Sequence, residues 1–172
     1  MTAFVVAVLL TIGISAFCSV LEAMVLSTTS AEVEAMQKKS SKRGIIFRKT
    51  IDEIDDTLSA ILTLNTMANT AGASIVGTLA ADVLQSISAG AVAGAMTFLI
   101  LIFSEIIPKN VGMAYRVYIQ PIAVYPLWLI RWLMKPVTYF TRGFVRLLVK
   151  EQEISSEEAE EEIKLLAEKG AK

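Results

Sequence analysis

Glu105 stands three residues before Pro108, at the end of a stretch, Val83–Ile107, that carries no other charge. A carboxylate in so apolar a run is costly unless a polar group, water or a cation compensates it. Pro108 has no N–H, so in a continuing helix the carbonyl of Ser104 loses its usual donor. A carboxylate and a freed carbonyl at this spacing are the hard oxygen ligands that a small cation uses. Other polar groups in the apolar stretches recur at helical spacing. Ser15 and Ser19 are four apart, with Glu22 three further on, so the three share a helix face; Asn65 and Asn69 repeat the spacing. Three helices could thus each turn oxygen ligands toward one point: serine hydroxyls, asparagine carbonyls and the Glu105 carboxylate. Hard oxygens suit Mg²⁺, Ca²⁺, Na⁺ or Mn²⁺ and disfavour copper and zinc. One carboxylate among neutral oxygens makes a compact, weakly charged cage that fits a partly dehydrated Mg²⁺ or Na⁺.

Plainer readings exist for most of these residues. Serines in membrane helices often bond a carbonyl one turn back, and asparagines often join helices. Taken singly, Ser15, Ser19 and Asn65 read as structural; Glu105 does not, because a carboxylate there needs a partner. Glu22 is within reach of Lys109 or Arg116 and reads as a gate or a structural ion pair rather than a ligand. Met24, Met67, Met96 and Met113 read as packing residues. Small residues at Ser86, Gly90 and Gly94, echoed by Ala68 and Gly72, suit close helix contacts, either inside the bundle or between two copies.

Composition excludes much else. The chain has 172 residues, 54% of them hydrophobic, which is too apolar for an ordinary soluble domain. It contains no histidine, the commonest general base, and its one cysteine permits neither an intrachain disulfide nor a cysteine zinc cluster. The spans offer no nucleophile pair and no cofactor motif, so no enzyme is expected. The net charge is only −1, but the charges are segregated: six of the sixteen basic residues lie within 38–49, and eight of the seventeen acids within 151–168. Such blocks flank membranes and do not resemble a nucleic-acid surface.

Three stretches are long enough to cross a bilayer: Ala3–Leu26, Thr57–Ala80 and Val83–Ile107. The first lacks the basic start of a signal peptide and reads as a retained span. The second and third are separated only by Ala81 and Asp82, which predicts a tight hairpin there. Val117–Met134 is different. Gln120, Pro121, Pro126 and Arg131 interrupt it, and the nearby tyrosines and tryptophans suit the membrane–water interface. The basic loop after the first span predicts a cytoplasmic loop, an outside N-terminus and an inside C-terminus, satisfied by three crossings and not by four. Ser155 with Glu158 resembles a capping box that starts an acidic cytoplasmic helix. The expectation is an all-α membrane protein with three transmembrane helices, an interfacial helical belt and that acidic helix. Residues 1–150 would form the membrane ion-transport domain and 151–172 the start of a linker to a soluble regulatory domain.

Three motifs in order, Ser15-Ala16-Phe17-Cys18-Ser19-Val20-Leu21-Glu22-Ala23, Asn65-Thr66-Met67-Ala68-Asn69-Thr70-Ala71 and Ser104-Glu105-Ile106-Ile107-Pro108-Lys109, resemble the transmembrane domain of the cyclin M/CorC magnesium transporters. Ser104 departs from the glycine usual before that glutamate. The resemblance implies a homodimer in the cell membrane, with Mg²⁺ as the transported ion and Na⁺ as the coupling ion of a secondary-active exporter working by alternating access. Carried over by position, it implies an ion site of Ser19, Asn65, Asn69 and Glu105, with Ser15 close by and backbone carbonyls near Ile61 and Gly112. It also implies a nucleotide-binding regulatory domain beyond the acidic linker, so no ATP site is assigned to the residues here. Two alternatives remain: a membrane scaffold or ion sensor holding a structural cation, and a passive cation channel.

Overall fold

The computed structural model describes residues 1–39, 41–83 and 89–148. The expected acidic helix and its Ser155 cap lie outside the described residues. Among the described residues every element is a helix: α1 (Thr2–Ser27), α2 (Ser30–Lys39), α3 (Ser41–Asp52), α4 (Ile54–Val83), α5 (Ala89–Leu99), a π-helical segment (Ile100–Ile106), α6 (Ile107–Ala114) and α7 (Arg116–Leu148). Among the described residues, Met1–Thr138 forms one compact unit and the stretch from 139 to 148 belongs to a second.

Among the described residues two stretches, Thr2–Ser27 and Gly90–Ala114, are long and apolar enough to cross a membrane. The second is one rod, α5 running through the π segment into α6 with helical backbone at both joints. The third expected crossing lies in α4, whose 30 residues cover about 45 Å. It does not reach the apolarity of the other two, because Asn65, Asn69 and a scatter of Thr and Ser dilute it. The helix count therefore departs from the sequence expectation. Ala81 and Asp82, expected to separate the two spans, instead continue α4 to Val83, and the connection to α5 at Ala89 lies outside the described residues.

The basic stretch expected as a loop is a helical hairpin. α2 and α3 approach so closely that a Cβ on Gly44 would lie 2.5 Å from the Gln37 Cα. Only glycine permits that contact. Thr29 begins α2 with a reciprocal cap, its N–H donating to Glu32 Oε2 at 3.0 Å while the Glu32 N–H reaches Thr29 Oγ1 at 3.4 Å. α3 passes almost directly into α4, and Thr57 Oγ1 donates back to the Thr50 carbonyl at 2.8 Å.

The core gathers around the C-terminal half of α1. Cys18, Leu21, Met24 and Val25 pack with Val33, Phe47, Ala60 and Ile61 and with a stripe of α7: Ala123, Val124, Leu127, Ile130 and Met134. That stripe follows helical spacing, and Tyr118, Tyr125, Trp128 and Trp132 stay exposed away from it. The Pro-containing segment is thus a single helix, α7, with one side on the core and an aromatic side free, as a belt in an interface requires. Around the N-terminal half of α1 and along α5 and the π segment, Val5, Leu9, Leu10, Phe98 and Leu101 are exposed, an apolar surface suited to lipid rather than water. Met24 and Met96 are buried as expected, whereas Met67 and Met113 are half exposed and do not pack in the core.

Candidate cation site

α1 and α4 cross where Gly72 meets Thr11; a Cβ at Gly72 would fall 2.2 Å from Thr11 Oγ1. This close approach brings the polar faces of the two helices together. Ser15 Oγ donates to Asn65 Oδ1 at 2.7 Å, and both residues are buried. One turn from that contact on each helix, in opposite directions because the two helices run antiparallel, Ser19 Oγ and Asn69 Oδ1 are buried with no hydrogen-bond partner. A buried oxygen left unmatched costs about 1–3 kcal/mol, so native structures rarely tolerate one without a ligand, ion or water to use it.

The third contribution comes from the π segment. Pro108 lies at the start of α6, where its ring would crowd the Ser104 carbonyl in an α-helix and its nitrogen could not donate. The chain widens instead: the Ile107 N–H reaches back five residues to the Ile102 carbonyl. Such π turns recur at functional sites because they aim side chains that an α-helix would place elsewhere. Glu105 sits in this turn, partly buried, and none of the ion pairs among the described residues reaches it. Ser104, fully buried, donates from Oγ to the Ile12 carbonyl at 3.2 Å and so pins the π segment to α1.

α6 then presses on α1. A Cβ on Gly112 would lie 2.5 Å from the Val20 carbonyl oxygen and 3.1 Å from the Ala23 Cβ. One turn before Gly112, Lys109 Nζ donates to Glu22 Oε1 at 3.2 Å, the ion pair expected for Glu22. The other partner considered, Arg116, binds Glu32 instead at 3.1 Å. Gln120 joins them, donating to Glu32 Oε2 and to Thr28 Oγ1 at 3.1 Å each. Burial pushes the Glu32 carboxyl up, but the Thr29 N–H, Gln120 and the Arg116 guanidinium outweigh it and hold the group below the ordinary carboxylate range. This junction ties the α1–α2 corner to the start of α7.

Of the residues expected at the site, Ser15 and Asn65 are brought into direct contact. Ser19 and Asn69 supply two of the three unmatched buried side-chain oxygens among the described residues, Glu22 Oε2 being the third; Gly112 lies against α1, and Glu105 occupies the π turn. Glu105 forms no hydrogen bond with the serines or asparagines. Among the described residues no three acids or cysteines gather, so any cation held here meets mostly neutral oxygen. Chemically the arrangement offers hydroxyl and amide oxygens from two crossed helices and a carboxylate from a third rod. Sequence reasoning missed the Ser104–Ile12 contact, the Thr11–Gly72 crossing and the Glu32 junction. Pro108 was the one local signal for the π turn.

Apolar helices bare toward lipid, with their polar groups turned inward, define an all-α membrane domain. The chain belongs to the cyclin M transmembrane N-terminal domain family, which it matches over residues 5–172. It is 27% identical over 158 residues to a UPF0053 protein of Synechocystis sp., covering 92% of this chain and 45% of that protein. It is also 28% identical over 166 residues to a chloroplastic DUF21 domain-containing protein of Arabidopsis thaliana, covering 94% of this chain and 25% of that one. The chain thus spans less than half the length of these relatives.

Proposed function

We propose that this domain moves Mg²⁺ across a membrane as a secondary-active, Na⁺-coupled exporter working by alternating access. The observation that carries the reading is that Ser19 Oγ and Asn69 Oδ1, one turn to either side of the Ser15–Asn65 contact, are buried without a partner. A buried acceptor of this kind is stabilised by a hard cation, which takes oxygen ligands. In this reading Glu105 supplies the negative charge, and Ser15 and Asn65, now satisfying each other, open their oxygens to the ion when it arrives. Gly112 lets α6 approach closely enough for a backbone carbonyl to take part. Membership of the family and the order of its three motifs support Mg²⁺ as the cargo. Rocking of the α5–π–α6 rod against α1 would expose the site to each side in turn. The proposal places the N-terminus outside and the C-terminus in the cytoplasm, with α4 as the third crossing.

Its test is flux in proteoliposomes with Mg²⁺ and Na⁺ gradients imposed independently. Mg²⁺ accumulation against its own gradient, driven by Na⁺, is the expected result. Flux only down the Mg²⁺ gradient would make the domain a channel, and no flux under any gradient would leave it a scaffold or sensor with a structural ion.

A further inference from the structure

Glu22 is buried, 8% exposed, and its two oxygens are in different situations. Oε1 accepts from Lys109 Nζ at 3.2 Å, while Oε2 is buried with no partner. The lysine is not equally enclosed: its side chain is 42% exposed against 11% for that of Glu22. The carboxylate is therefore enclosed, and its counter-ion sits on a flexible, half-exposed stem. Taking the ammonium away costs little on the lysine side but leaves a buried charge uncompensated, so another cation must replace it. One turn deeper on the same face of α1 is Ser19, whose Oγ is also unmatched. Gly112 sets α6 against Val20 and Ala23, on either side of Glu22, which keeps Lys109 at this position.

We propose that Glu22 is a second cation-binding carboxylate, a relay ligand between water and the Ser19 oxygen, and that Lys109 is its resident counter-ion, displaced as a divalent cation passes. The inference rests on the transport reading above. Lys109 is the carboxylate's ion-pair partner while no ion is in transit. An arriving divalent cation takes Oε2 and repels the ammonium into solvent. It then moves to the neutral oxygens deeper in the bundle, and the lysine returns. The exchange forms and breaks no covalent bond.

The test counts bound Mn²⁺ on the chain in detergent, from loss of the free-ion electron paramagnetic resonance signal. Lys109→Met removes the tethered competitor and should bind one more Mn²⁺ than wild type, and Lys109→Met/Glu22→Gln should lose that extra ion. An unchanged count in Lys109→Met, or an extra ion that persists in the double variant, overturns the proposal. Mg²⁺ flux in proteoliposomes separates a relay from a structural pair. Glu22→Gln should slow flux about tenfold or more, since it removes the only charged ligand there. A relay keeps the double variant equally slow, because the carboxylate is still missing. A structural pair predicts recovery to wild-type flux once both charges are gone, and that recovery would refute the relay. The double variant leaves no buried charge unpaired, so its flux decides the matter even if Lys109→Met fails to fold. If wild type itself carries no Mg²⁺, the transport reading falls and the Mn²⁺ count alone decides whether Glu22 binds a cation.

Discussion

Ser15 Oγ and Asn65 Oδ1 meet at 2.7 Å inside the bundle, joining two helices fifty residues apart in sequence. The bond turns the Asn65 carbonyl toward α1 and fixes the rotation of both helices at their crossing. Ser15→Ala leaves that carbonyl without its donor and should cost about 0.5–2 kcal/mol, the range for interhelical bonds in lipid and for an orphaned acceptor. If Asn65 Oδ1 also serves the ion, saturating Mg²⁺ should recover part of the loss. Thermal unfolding in detergent with and without Mg²⁺ measures both effects, and an identical loss in both conditions would remove Asn65 from the ligand set.

Glu105→Gln keeps size and one carbonyl oxygen but removes the charge, so Mg²⁺ affinity should fall steeply while folding survives. Asn69→Ala removes a single neutral oxygen and should weaken binding less. A ligand that binds only the folded state raises the melting temperature, so wild type should be stabilised by Mg²⁺ and Glu105→Gln should not. Equal Mg²⁺-dependent stabilisation of the two proteins would show that Glu105 is not the ion's anchor.

Glycines at two places should respond oppositely to alanine. At Gly112 the new Cβ meets the Val20 carbonyl at 2.5 Å, and backbone cannot move aside as a side-chain tip can. The α6–α1 contact should open, at a cost of about 1–3 kcal/mol. At Gly94 nothing lies within 4 Å of an added Cβ, and alanine should stabilise the helix by up to about 1 kcal/mol. Melting temperatures of the two variants check the contrast. Destabilisation at Gly94 would instead mean that its small-residue face contacts a second copy of the chain.

Glu32 gives stability a pH dependence with a definite sign. Its carboxyl lies lower in the folded chain than in the unfolded one. The unfolded state therefore binds the proton more readily, and the contribution is complete above the ordinary glutamate pKa of about 4.5. It is lost as pH falls through the depressed folded value. Glu32→Gln should flatten this acid limb of a melting-temperature profile, and a limb of unchanged depth would exclude Glu32 as its source.

The basic stretch at 38–49 predicts a cytoplasmic C-terminus. With Cys18 replaced by serine, Ser155→Cys in sealed vesicles should react only with reagents that reach the cytoplasmic side. Labelling from the outside would contradict the three-crossing arrangement.

The chain alone determined its solvent and its kind of chemistry. Long apolar runs can satisfy their backbone in lipid only as helices, so the all-α membrane class was legible. The polar residues in those runs were conspicuous because each is costly there, which is how Ser15, Ser19, Asn65, Asn69 and Glu105 could be picked out. The Glu22 pair with Lys109 was also within reach, since opposite charges near one end of apolar helices must find each other. Helix boundaries were not legible at Ala81 and Asp82, where neither residue breaks a helix, nor in the basic stretch after α1. That stretch carries too little apolar surface to declare a helix by pattern, yet Val33 and Phe47 fold it onto the core. Which serine bonds which asparagine, which oxygens are left unmatched, and how Pro108 is absorbed depend on helix rotation and separation. Those are fixed by contacts such as Thr11 with Gly72 and Val20 with Gly112, between residues far apart in the chain. Sequence spacing places residues on a face; only packing decides what that face meets.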